Sequence, residues 1–169
     1  MTNTLLVAQN SCKSLTLNHS SLILTLVSHF SSSHVDIVLI FVSFLVTRDR
    51  MGRLNTFMAR ILKDIDAQPP ALIRGVGVDE HTALLLDVKT GDIQAVGVNT
   101  AYVCSASTPA AVCKPNTPLT FQNLECVRLS GSKNDKFSFA TLRGDGVSYT
   151  SNIVSGKFTN IPYGPTSTN

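Results

Sequence analysis

An amphipathic helix that halts at two prolines and leads into a short apolar strand ending in two acids constrains this chain more than any other feature. Leu54, Phe57, Met58, Ile61, Leu62 and Ile65 recur at three- and four-residue steps, so residues 51–66 carry one apolar stripe. Pro69-Pro70 stops that helix, because proline lacks the N–H a helix needs and restricts the residue before it. Residues 71–78 then read as a buried strand whose Gly75 and Gly77 allow another element to approach closely. The strand closes on Asp79-Glu80, and a carboxylate at a strand end in an α/β setting is a common place to build a catalytic site.

Arg48, Arg50 and Arg53 stand at the start of the helix, where free backbone N–H groups already favour anions. Guanidinium groups grip carboxylates at two points, so one reading is a carboxylate-binding pocket; the other is a solvated helix face helped by Asp49. Asp79 and Glu80 point to opposite faces of a strand end. One of them can stay buried and orient an imidazole, as the acid of a catalytic triad does, or the pair can simply cap a turn. The imidazoles are His19, His29, His34 and His81. His29 follows an apolar run at a plausible strand end, whereas His81 is too close in sequence to face Glu80 across a site. No Gly-x-Ser-x-Gly elbow, P-loop or dinucleotide fingerprint occurs, and Gly75-x-Gly77 lies inside a strand rather than in a phosphate loop.

At 169 residues the chain fits one domain with a sizeable core. A net charge of +3, with no basic run interleaved with aromatics and no Trp, argues against a nucleic-acid partner. Residues 1–47 differ from the rest in being Ser-rich and almost free of charge, with apolar runs at 22–27 and 37–46. Neither run reaches the roughly twenty residues of a membrane-crossing helix, and neither sits where a secretory signal places its apolar stretch. The segment is expected to be irregular, with a buried strand as the best use of either run. A third functional class, a membrane-associated protein using the 37–46 run, is the weakest for the same reason.

Residues 82–88 and 92–98 alternate around Lys89-Thr90-Gly91, which predicts a hairpin with Gly91 at positive φ. Short strands follow at 101–104, 119–121, 125–129 and 137–142, and a tail begins at Pro162. Cys104 and Cys113 bracket a loop and either close a small disulfide or stay as free thiols. Cys12 and Cys126 complete the set, and no spacing suits zinc.

Two ordered stretches, Arg48-Asp49-Arg50-Met51-Gly52-Arg53-Leu54 and Gly75-Val76-Gly77-Val78-Asp79-Glu80-His81-Thr82-Ala83, resemble the cyanophycinase and dipeptidase E family of serine peptidases. Tyr102-Val103 resembles a later pair of the same family. The likeness covers residues 46–105 clearly and 119–143 weakly. It implies an α/β fold, the three-layer class I glutamine amidotransferase-like (flavodoxin-like) type. The chain would be a C-terminal fragment of such a domain with added β-hairpin strands, spanning 46–161, with 1–45 as an irregular or inserted segment and 162–169 as a tail. It also implies hydrolysis of aspartyl-containing peptides by a Ser-His-Glu triad without a cofactor. Glu80 then matches the triad acid, and Arg48, Arg50 and Arg53 match the residues that bind the aspartyl group.

The family places its His four residues before the first arginine, where this chain has Phe44; His29-Phe30 offers the same dipeptide farther upstream. Removing residues 31–45 would restore the spacing, so this segment is read as an insertion and His29 as the catalytic imidazole. The Ser nucleophile lies upstream in the family and is not found here. The expectation is therefore a truncated, inactive peptidase, with a non-catalytic binder of acidic peptides as the alternative.

Overall fold

The structure, a computed structural model, describes residues 26–32, 35–64, 73–87, 89–106 and 108–165, with side chains from residue 39 onward. Two strands open it, β1 (Leu26–Ser32) and β2 (Val35–Ser43), followed by the helix α1 (Met51–Asp64) and β3 (Ile73–Val78). A hairpin of β4 (Thr82–Leu86) and β5 (Asp92–Gly97) leads into β6 (Thr100–Ala106) and β7 (Phe121–Ser130). The short β8 (Lys136–Ser138) and β9 (Arg143–Gly144), the longer β10 (Val147–Val154) and β11 (Lys157–Phe158) complete the order.

Seven strands form one sheet in the order β1-β2-β3-β6-β7-β10-β11, and β4-β5-β8-β9 form a smaller one. Only β2 and β3 run parallel; every other described pair is antiparallel. This overturns the expected three-layer flavodoxin-like α/β domain. The described chain is mostly β, with one helix and two mixed or antiparallel sheets. Connection length explains the difference. A parallel pair needs a crossover of a dozen or more residues, which the chain supplies between β2 and β3, where α1 lies. Beyond Asp79 its alternating runs are mostly separated by short turns, which return each strand beside its neighbour in antiparallel fashion.

The helix stripe packs as its periodicity predicts. Leu54, Met58 and Leu62 are buried on one side of the large sheet, in a core with Ile40, Val42, Leu45 and Ile73, each contributing about 1.5–3 kcal/mol through burial. Gly75 lies under the helix, and a Cβ there would run into Met58 and come 3.1 Å from Leu54; Gly77 makes the same allowance for Leu45. A second core, including Val76, Val103, Leu129, Ile93 and Phe137, joins the other side of the large sheet to the small one. The β4–β5 hairpin is the one the sequence predicts, with Gly91 at φ 75°.

The segment expected to be irregular contains the β1–β2 hairpin, and β2 is the strand that accepts β3. Leu39, Ile40, Val42 and Leu45 are almost wholly buried. Residues 31–45, read as an insertion, thus supply an interior strand of the sheet. Ile65 and Pro69-Pro70 lie outside the described residues. The runs at 119–121 and 125–129 form the single strand β7, and of 137–142 only the start is extended. Cys104 pairs with Cys126, not Cys113: the two stand directly opposite on β6 and β7, with Cα atoms 4.1 Å apart, and Cys113 is free.

Candidate functional site

The parallel register sets Ser43 beside Val78, so β2 and β3 end level with one another at their carboxyl ends. Both chains then continue into the turn residues that the sequence singles out. Asp79 is nearly buried and accepts two hydrogen bonds at one oxygen, from the Thr47 N–H at 3.0 Å and the Thr47 hydroxyl at 2.7 Å. The Leu45 N–H donates to the Val78 carbonyl at 3.3 Å, and the Asp79 N–H to the Thr100 carbonyl at 3.1 Å. These bonds clamp the 44–50 turn onto the end of β3.

Arg48 and Glu80 are each one residue beyond that clamp. Glu80 is half-buried, and its carboxylate has no hydrogen-bond or ion-pair partner among the described residues. Its backbone carbonyl is held by the Asn99 side-chain amide at 2.8 Å. The strand-end acids therefore divide their roles, with Asp79 structural and Glu80 open. His81, at φ 53°, is exposed and turns the chain into β4.

The arginines gather at the mouth of α1. Arg50 is its capping residue, since the Leu54 N–H donates to the Arg50 carbonyl at 3.1 Å. The buried Arg50 guanidinium donates to the Ser43 carbonyl at 2.9 Å. Burial and the nearby charges of Arg53 and Arg48 lower its pKa from the usual arginine range, so the three cations repel one another. Arg48 and Arg53 are exposed, and the Arg48 guanidinium lies 5.8 Å from the centre of the Phe44 ring. None of the three is in an ion pair with a described residue, and the first turn of α1 has no acid to offset them. Three uncompensated guanidinium groups at the positive end of a helix make a place suited to a carboxylate or another anion.

His29 is not part of this gathering. It lies on β1 opposite Val38, which is in turn level with Ile73 at the start of β3. Its backbone is thus about seven residues, roughly 23 Å of extended chain, from the level of Glu80. The position four residues before Arg48 holds Phe44, just past the carboxyl end of β2 with φ 53°. A phenyl ring cannot carry a proton between groups, whatever its placement.

The sequence reading missed Tyr163. Its hydroxyl donates to Asp49 Oδ1 at 2.6 Å, has the Leu45 carbonyl as a second acceptor at 3.2 Å, and lies 3.5 Å from the Met51 N–H. Burial first, and the Asp49 hydrogen bond second, push its pKa well above the ordinary tyrosine value. A lone Tyr in a Pro/Gly-rich stretch far along the chain gives no pattern that would have pointed to the arginines.

An open cleft of about 310 Å³ lies on the small-sheet side, lined by residues such as Val103, Glu125, Val127 and Phe137, and no candidate site residue borders it. No helix among the described residues is long and apolar enough to cross a membrane. No group of three or more His, Cys, Asp or Glu among them could hold a metal ion. Compared with known proteins, the chain matches no family model and no curated protein.

Proposed function

We propose that this chain carries the aspartyl-recognition part of a cyanophycinase-like serine peptidase site, and that it binds aspartyl-containing peptides without cleaving them. One observation supports this reading above the others. Arg48, Arg50 and Arg53 gather at the start of α1, just past the carboxyl end of β2, with no acidic partner among the described residues, and Glu80, without a side-chain partner among those residues, follows the end of β3. A peptide carboxylate would neutralise Arg48 and Arg53 through charge-assisted hydrogen bonds, while Arg50 stays anchored to Ser43 and holds the turn. Glu80 offers an acceptor to the amino or guanidinium group of the same ligand. Hydrolysis would further need an imidazole between Glu80 and a nucleophile, and the position four residues before Arg48, where the family has its His, holds Phe44.

Calorimetric titration with a β-aspartyl dipeptide, together with a hydrolysis assay on the same sample, tests this. Binding is expected to weaken about tenfold with Arg53→Gln and with Arg48→Gln, in keeping with a lost charged hydrogen bond. Amidation of the dipeptide's two free carboxyl groups, the aspartyl α-carboxyl and the C-terminal carboxyl, should abolish it. No turnover is expected. Hydrolysis that Glu80→Gln abolishes would overturn the non-catalytic reading, and an absence of binding would overturn the recognition reading.

A further inference from the structure

Asp49 stands between Arg48 and Arg50 in sequence, yet it forms an ion pair with none of the three arginines. Two features keep its carboxylate occupied. The residue adopts φ 48°, a left-handed conformation in the 44–50 turn. Its Oδ1 then takes a short 2.6 Å hydrogen bond from Tyr163, a residue more than a hundred positions along the chain.

The segment that brings Tyr163 there is firmly seated. The Tyr163 ring packs edge-on against Tyr102 with centroids 5.9 Å apart, and the Tyr149 hydroxyl donates to the Pro162 carbonyl at 2.9 Å. Gly164, at φ 69°, sits so close to the Tyr149 ring that a Cβ would come within 2.7 Å of it. All three tyrosines of the chain thus meet where residues 161–165 cross the arginine turn.

We infer that Tyr163 is a positioning residue for anion binding: by engaging Asp49 it prevents an internal carboxylate from neutralising Arg48 and Arg53, and so leaves them open to an incoming one. This deepens the proposed recognition site and rests on it for the identity of the ligand. The arrangement of charges can be tested without any ligand. An aspartate released beside three arginines would find a cation within reach, since charge-assisted pairs form wherever geometry allows. An engaged Asp49 removes that competitor.

The test is the rate at which phenylglyoxal, which attacks guanidinium groups in their deprotonated form, modifies Arg48 and Arg53 in the full chain, mapped by mass spectrometry. Tyr163→Phe keeps the ring on Tyr102 and removes only the hydroxyl. Modification of both arginines is expected to slow severalfold in Tyr163→Phe, and to return to the wild-type rate in the double variant Tyr163→Phe with Asp49→Asn. Asp49→Asn alone is expected to react like wild type, because in wild type the Tyr163 hydroxyl already holds the Asp49 carboxylate out of any pair with the arginines. A purely structural role for Tyr163 would loosen the turn in both Phe variants, so slowing without rescue overturns the inference. An unchanged rate in Tyr163→Phe, or faster modification in Asp49→Asn alone, overturns it as well. If the rates behave as expected but wild type does not bind a β-aspartyl dipeptide, the recognition reading fails while the role of Tyr163 stands.

Discussion

At Asp79 a single carboxylate oxygen takes both the N–H and the hydroxyl of Thr47, so removing it strands two donors in a half-buried place. Asp79→Ala is expected to cost about 1–3 kcal/mol of stability in chemical denaturation. Glu80→Gln should shift stability by less than about 0.5 kcal/mol, because its carboxylate holds nothing among the described residues. An equal cost for the two would contradict the division of roles between these neighbours. Sequence placed both acids at a strand end but gave no means to tell which is buried. That choice depends on Thr47, which is 32 residues away and carries no motif of its own. His29 illustrates the reverse problem. Its dipeptide fits the family pattern, but strand register, which no local pattern encodes, sets it in the middle of β1, level with the start of β3 rather than its end.

The elements between residues 51 and 97 were the most legible, because their signals are local. The 3.6-residue stripe of α1, the close-approach glycines of β3 and the Gly91 turn each act within a few residues. Gly75→Val should cost about 1–3 kcal/mol by forcing Met58 and Leu54 out of their packed positions, measured as a lower unfolding midpoint. The strands β10 and β11 were not legible. Residues 147–154 are largely polar, and only Ser151 and Ile153 among them are buried, so no apolar alternation announces the strand. The disulfide was misread for a related reason. Cys113 is nearer Cys104 along the chain, but pairing across β6 and β7 makes Cys126 its direct neighbour. Closing the 22-residue separation between them should contribute about 3 kcal/mol. A reduced sample that unfolds at the same denaturant concentration as the oxidised one would count against the bridge.

At the scale of the whole molecule, two cores on opposite sides of one sheet hold the chain together, and the arginine turn sits where β2, α1 and the 161–165 segment meet. Burial raises the pKa of Tyr102, Tyr149 and Tyr163, which together close this corner. Each keeps its proton more firmly folded than unfolded. Their neutral forms therefore add stability that is complete below about pH 10 and lost as pH rises beyond it. Tyrosinate absorbance is expected to appear late and together with unfolding; titration of all three near pH 10 in a folded chain would contradict this. The resemblance that suggested a flavodoxin-like domain rests on motifs in the turn before α1, in α1 and in β3, the part built around a parallel pair, and the antiparallel strands beyond it follow from their short turns.

The central claim is that a carboxylate-bearing peptide is recognised at the carboxyl ends of β2 and β3. A nitrogen-edited NMR titration of the full chain with a β-aspartyl dipeptide tests it most directly. The amides of residues 47–53 and of Glu80 are expected to shift together on one binding curve, with the amides of His29 and Val38 unmoved. Shifts centred on β1, or on the cleft around Val103 and Glu125, would contradict the account.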